Sequence, residues 1–243
     1  MRKMVITLLA LGVFAASTAF AANFWSETFP YAAGGLVAVS GGNWTTHSGT
    51  PPIDIQVVSG EAVVNSANAP DDNRQFTPPQ STTASTYACF RLAISGTQTA
   101  GGTYFAHLMN NGTLFAARVF AMLNDATTYQ LAIGTSSTAP LAGAIWPTPL
   151  TKGVYYDVTV KYDAFTGYST MWVNPTSEAS PSVISSTAVT GTPISGFGLR
   201  QASGYGVANI DNIGVGNTFL DACVLNPVPA NSNTWGQLKS LYR

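Results

Sequence analysis

Of the chain's 243 residues only 9% are charged, 46% are hydrophobic and 23 are glycine. Ten Lys and Arg against eleven Asp and Glu exclude the basic surface of a nucleic-acid-binding protein and the charge excess of a disordered chain. Glycine, threonine, serine and aromatic residues in such plenty suit short strands joined by turns and leave little for helices.

In chain order, Arg2 and Lys3 precede an apolar run over 4–16, and Ala19-Phe20-Ala21 places small residues at the third and first positions before a signal-peptidase cut. That pattern predicts an export signal over 1–21 and a mature chain from Ala22, secreted or held at the cell surface. The run falls short of the roughly 20 apolar residues that span a bilayer and lacks a stop-transfer flank, so no transmembrane segment is expected after signal removal. Without Arg2 and Lys3, eight basic residues face eleven acidic ones, a net charge of −3. The remaining length suits one all-β domain over 22–222.

Within that domain a first strand is expected from Asn23, then a glycine turn at Gly34-Gly35 and a loop carrying Trp44 and His47. A hairpin follows over 53–64, turning at Ser59-Gly60, and 69–73 reads as a polar turn cluster. The next strand is 86–94, where Ala88, Phe90, Leu92 and Ile94 claim the core and turn Cys89 outward beside Tyr87 and Arg91. A long hairpin over 103–123 turns at Asn110-Asn111-Gly112, residues 129–133 form a further strand, and 140–151 is a loop holding Trp146. The clearest pattern lies at 154–175: Val154, Tyr156, Val158, Val160 and Tyr162 alternate with polar positions, Asp163 to Gly167 turns, and 168–173 runs back until Asn174-Pro175 stops the ladder. Strands at 182–189, 194–200 and 205–215 close the domain, and short strands at this spacing predict a two-sheet antiparallel sandwich.

Cys89 and Cys223, bound for an oxidising compartment, are expected to pair as a disulfide, with two free thiols as the alternative. A proline- and asparagine-rich linker spans 223–233. In the tail, 234–243, Thr234 and Gln237 fit a capping box and Trp235 and Leu238 share a helical face. Ten residues do not hold a helix alone, so the tail either frays or docks.

The set GGNWT, YFAHLMNNGT, ARVFAML, LAIGTSS, VTVKYDAFTGYSTMWVNP, ISGFGLRQ and VANIDNIGVGNTFLDA resembles secreted bacterial concanavalin A-like (laminin G-like) jelly-roll domains. That resemblance implies an all-β jelly-roll sandwich with a concave sheet, in a family whose members include lectins, glycanases and adhesive modules. The tail looks like the short carboxyl-terminal Trp-Gly segments of exported proteins from some little-cultured bacterial lineages, which implies attachment or sorting.

Candidate chemistry is sparse. A jelly-roll glycanase needs two carboxylates aimed into one hollow, and its Glu-x-Asp-x-x-Glu motif has no match. A lyase needs a cation to neutralise a uronate and a His or Tyr to take the proton, for which Tyr104, His107, Arg91 and Arg118 are the candidates. Sugar binding needs aromatic faces, and Trp44, Trp146, Trp172 and Tyr205 are the candidates, although filling the sandwich core is the leading role for most of them. Calcium, the one cofactor considered, would take oxygen ligands from Asp71 and Asp72 with Asn73, or from Asn209 and Asp211, although Asp and Asn also cap turns by themselves. The expectation is an exported, non-catalytic binding or adhesive module whose partner is a polysaccharide or cell-surface component. A structural or assembly subunit and a polysaccharide lyase or hydrolase are the alternatives.

Overall fold

A computed structural model describes residues 23–49, 54–65, 70–111 and 114–224. The expected export signal, the tip of the hairpin at Gly112 and, from residue 225, the linker and tail lie outside the described residues. No helix among the described residues is long and apolar enough to cross a membrane.

The strands are β1 (Asn23–Glu27), β2 (Gly34–Gly35), β3 (Thr45–Ser48), β4 (Gln56–Val58), β5 (Glu61–Asn65), β6 (Asp71–Gln75), β7 (Ser85–Ser95), β8 (Thr103–Met109), β9 (Phe115–Leu123) and β10 (Thr128–Gly134). After them come β11 (Leu150–Thr151), β12 (Tyr156–Asp163), β13 (Ser169–Val173), β14 (Val183–Ile184), β15 (Gly196–Leu199) and β16 (Val207–Gly216). One-turn helices lie at α1 (Leu36–Val39) and α2 (Phe219–Ala222). Among the described residues these strands form a nine-stranded sheet, ordered β14-β13-β12-β7-β16-β5-β4-β2 with β1 also on β16, and a seven-stranded sheet, ordered β11-β10-β9-β8-β15-β6-β3. The chain passes back and forth between the two sheets, β7 to β8, β11 to β12 and β14 to β15 to β16, and every ladder is antiparallel, which makes a jelly-roll sandwich.

The hairpin β12–β13 shows why the layers close. Val158, Val160 and Tyr162 are buried, Val158 pairs with Val173 and Val160 with Met171, and all five meet the other sheet in one core. Burying such a side chain contributes about 1.5–3 kcal/mol relative to leaving it in water. Val154, expected on the same face, lies before the strand and is exposed. Tyr162 spends its hydroxyl on the Val189 carbonyl and the Thr192 amide, so the ring is buried without an orphan donor.

The outer face of this sheet is not simply solvated. Tyr87, Cys89 and Trp172 form a second apolar cluster that Phe219 and Ala222 of α2 cover. Thr218 caps α2 by accepting from the Asp221 amide, and a Cβ on Gly214 would strike the Ala222 carbonyl, so glycine lets the helix lie on the strand. Cys89 does turn outward and does meet Cys223. Both are buried and each lies 3.4 Å from Thr159 Oγ1, so the expected pair is adjacent but not joined by a disulfide.

Glu27, the last residue of β1, is a buried hub. Its carboxylate accepts from the Phe29 amide, the Tyr31 hydroxyl, Trp44 Nε1 and Arg74, the last at 2.9 Å. The segment expected to be a turn at 69–73 is instead largely strand β6, because its alternation is needed to pair with β15 on one side and β3 on the other.

Candidate functional site

The outer face of the seven-stranded sheet brings both histidines together with Tyr104 and two arginines, and ladder irregularities help to put them there. In a regular strand Tyr104 and His107, three residues apart, point to opposite faces. The β8–β9 register shifts between Tyr104 and Ala106 and again between Ala106 and Leu108. These bulges re-phase the strand, and the two rings meet edge to face at 5.7 Å. On β9, Ala117 takes a φ of 48°, and Phe115 and Arg118 likewise share a face.

Strand β15 supplies the floor. Phe197 and Leu199 enter the core while Gly196 and Gly198 alternate with them. A Cβ on Gly198 would lie 2.6 Å from His107 Nε2, and one on Gly196 2.8 Å from Gln75 Nε2. The glycines are the space into which neighbouring side chains lie down. Gln75 is fixed there by donating to Asn73 Oδ1 and accepting from Ser195 Oγ.

His107 sits against Phe115 at 4.3 Å between ring centres, with His47 of β3 at 5.5 Å. It is 1% exposed, and none of the four ring nitrogens of the two histidines has a hydrogen-bond partner. Burial first, then the charges of His47, Arg118 and Arg200, hold His107 well below the usual imidazole range, and burial lowers His47 as well. Both rings are therefore neutral at pH 7, and His107 is shielded from any substrate by its neighbours.

Two guanidinium groups lie on Tyr104. Arg200, which follows β15, is 4.3 Å from the ring centre, and Arg118 is 5.0 Å from it. Arg118 is anchored by donating to the Ser136 and Ser137 carbonyls at 2.8 and 2.7 Å, and Arg200 donates to the Tyr104 carbonyl. Among the described residues the ion pairs are Arg74 with Glu27 and Lys161 with Glu178, so no carboxylate lies within 4.0 Å of Arg118 or Arg200. Stacking on an aromatic face leaves guanidinium edges open to an anion; on Arg118, Nη1 is committed to the two carbonyls and Nε is buried, so only the remaining edge is available there.

The structure thus unites Tyr104, His107 and Arg118 and adds His47, Phe115 and Arg200. Arg91 is elsewhere: it lies on the nine-stranded sheet, 4.5 Å over the Tyr155 ring. Trp44 and Tyr205 are fully buried and Trp172 is 3% exposed, so none offers a face to a surface ligand. Their polar atoms are satisfied inside, by Glu27, by the Asn65 and Arg200 carbonyls, and by the Glu178 carbonyl respectively. Trp146 is half-buried against the core beside β10.

Neither expected calcium set converges. Asp71 accepts from Ser48 and from the Gln201 amide, while Asp72, next along the strand, points the other way into the interior. Asn209 donates to Glu61, and burial pushes Asp211 up, with the Glu61 carboxylate adding to that and Arg91 opposing it.

No family model matches the chain, and neither does any curated protein. Among solved structures it is similar to a sialidase, with a TM-score of 0.49 and 11% identity over 81% of this chain. It spans 19% of that sialidase's length. The metal-free Emp46p carbohydrate recognition domain gives 0.49 and 10% identity, covering 79% of this chain and 95% of that one. The polysaccharide lyase family 18 enzyme aly-SJ02 gives 0.45 and 10%, covering 72% and 95%. The jelly-roll assignment rests on the chain's own two-sheet topology.

Proposed function

We propose that the chain is an exported, non-catalytic module that binds an acidic polysaccharide on the outer face of its seven-stranded sheet. The observation that carries this reading is the pair Arg118 and Arg200, both held against one tyrosine ring without a carboxylate partner within 4.0 Å in a chain of net negative charge. Uronate carboxylates and sulfate esters are planar or tetrahedral anions that guanidinium edges bind through charge-assisted hydrogen bonds. The burial of His107 supports binding over elimination, since a base must reach the proton it removes.

Affinity electrophoresis and calorimetry with polygalacturonate, alginate and a sulfated glycan, beside neutral glucans, test this. Binding is expected only to the acidic polymers, weakening with salt. Arg118→Ala and Arg200→Ala should each weaken it roughly tenfold or more, the scale of a lost hydrogen bond to a charged group. Equal binding to neutral glucans, or unchanged affinity in both variants, overturns the reading. Release of unsaturated, ultraviolet-absorbing products, lost in His107→Ala, replaces it with a lyase.

A further inference from the structure

Helix α2 buries only one of its sides. Phe219 and Ala222 cover the outer apolar cluster of the nine-stranded sheet, whereas Leu220 is 74% exposed and Val224, at the end of the described chain, 51%. A single exposed leucine is ordinary. Leu220, however, forms with Phe219 one wall of a cavity of about 530 Å³, and the loop after β13 forms the other at Thr176, Ser177 and Glu178. That loop is fixed by its own bonds: the Ser180 hydroxyl accepts from the Thr176 and Ser177 amides at 2.9 and 3.1 Å, and the Glu178 carbonyl accepts from Trp172 Nε1 at 3.2 Å. Asn23 of β1 donates to the Asp221 carbonyl at 2.7 Å and so holds the α2 wall in place. The groove is preformed.

Its rim is acidic. Asp221 and Glu178 both line it. Glu178 takes the Tyr87 hydroxyl and Lys161 Nζ on the same oxygen, Oε1, at 2.6 and 3.3 Å, and its side chain is 48% exposed. Lys161 offsets one of the two charges, so the rim keeps a negative excess.

The chain itself carries a segment of the opposite character. Residues 234–243 contain Trp235, Leu238, Leu241 and Tyr242 together with Lys239 and Arg243, and neither Asp nor Glu. On a helix of 3.6 residues per turn the four apolar side chains fall within an arc of about 120°, and the two cations line one flank of it. That is the pattern of a helix that lies in an apolar groove, and so short a helix needs such a surface to form. Pockets of about 300–1,000 Å³ enclose ligands the size of one or two large side chains. The linker, 225–233, starts beside the groove and spans up to about 30 Å when extended, against about 15 Å for the helix, so the segment can turn back onto α2. A tether of this length gives an effective concentration in the millimolar range, which a second copy in dilute solution does not match.

We propose that residues 234–243 dock as a helix in this groove of their own chain, with Trp235 and Leu238 against Phe219 and Leu220, and Lys239 and Arg243 at the rim of Glu178 and Asp221. The groove belongs to the outer face of the nine-stranded sheet and the two stacked arginines to that of the seven-stranded sheet, so the docking does not rest on the polysaccharide reading.

The test keeps domain and tail in one chain and follows amide hydrogen exchange over 235–243 by mass spectrometry, at low and at high micromolar protein, with molar mass from sedimentation. Docking should slow exchange about tenfold or more relative to a synthetic peptide of the same ten residues, equally at both concentrations and in a monomer. Leu220→Lys changes an exposed position and leaves the core untouched; it should return the tail to the peptide's rate, and Trp235→Ala should do the same from the tail's side. Exchange at the peptide's rate in the wild-type chain overturns the proposal, as does slowing that persists in either variant. Slowing seen only at the higher concentration, together with a dimer, puts the tail in a second copy's groove and overturns it as well.

Discussion

Gly198→Ala tests whether the site depends on side chains lying down over β15. The new Cβ would stand 2.6 Å from His107 Nε2, 2.8 Å from Cε1 and 3.2 Å from Met109 Sδ. Ordinary contact begins near 3.4 Å, so the imidazole must retreat by about 0.8 Å. It has little room to do so, because Phe115, His47 and Tyr104 pack around it at 4.3, 5.5 and 5.7 Å between ring centres. Overpacking of this kind costs about 1–3 kcal/mol. Gly198 does not hold a left-handed φ, so alanine is otherwise compatible and returns about 0.4–1 kcal/mol through the unfolded chain. The net expectation from urea unfolding is a loss of about 0.5–2 kcal/mol. In a His107→Ala background the clash with the ring is gone, and the same substitution should become neutral or slightly stabilising, a coupling of about 1–3 kcal/mol. An equal cost in both backgrounds would show that the imidazole is not what occupies the space over Gly198, and the reasoning would fail.

Further outcomes follow from the same structure. The unfolded state takes up a proton near pH 6.5 that the depressed folded-state His107 refuses, so stability should fall as pH drops below that value, by at most about 1.4 kcal/mol per pH unit per histidine. Urea midpoints at about pH 7 and about pH 5 should show wild-type protein losing more stability than His107→Gln; equal losses contradict the assignment, and Asp72, common to both proteins, cancels from the difference. Glu27→Ala strips the partners from Arg74, Trp44 Nε1 and the Phe29 amide together, and a loss of about 3–5 kcal/mol is expected for breaking such a buried pair; a loss below 1 kcal/mol in denaturant unfolding counts against the hub. Mild oxidation of the folded protein should join Cys89 to Cys223, contributing about 4 to 5 kcal/mol by closing so long a loop, and two thiols still open to alkylation after oxidation and unfolding without reductant contradict it.

The sandwich was legible wherever one face of a strand is buried. The alternation at 156–162 predicts the inward set because a one-residue slip would expose every apolar side chain, and β12 pairs with β7 and β13 in that register. Turn chemistry misled at Asp71 to Asn73, where three short polar residues suit a loop by local preference. Tertiary pairing overrides it: β6 lies between β15 and β3, and Asp72 is drawn inward by Thr46 and Asp54. The tryptophans follow the core-filling reading, by a means the sequence does not display. Trp44 and Trp172 can be buried because Glu27 and the Glu178 carbonyl take up their indole N–H groups, and nothing in local sequence foretells a hydrogen-bond partner that arrives from another part of the chain.

The candidate site was half legible, and its hidden half has one physical origin. Tyr104, His107 and Arg118 stood out by residue type, but strict alternation scatters them over both faces, and only the paired irregularities in β8 and β9 bring them together. Arg200 follows β15, which pairs with β8 from far along the chain, and His47 lies on β3, which reaches this sheet by pairing with β6. One sequence signal did point there: Gly196 and Gly198 alternate with Phe197 and Leu199, so one face of that strand carries no side chain at all. A bare face in the middle of a sheet either binds something or is covered by its neighbours, and here His107 and Gln75 cover it. The glycines thereby let His107 sink beneath the surface while Arg118 and Arg200, packed against Tyr104, remain partly exposed above it. The same arrangement that removes the imidazole from solvent presents the two guanidinium groups to it, which is the order of access that a binding surface needs and that a proton-abstracting site reverses.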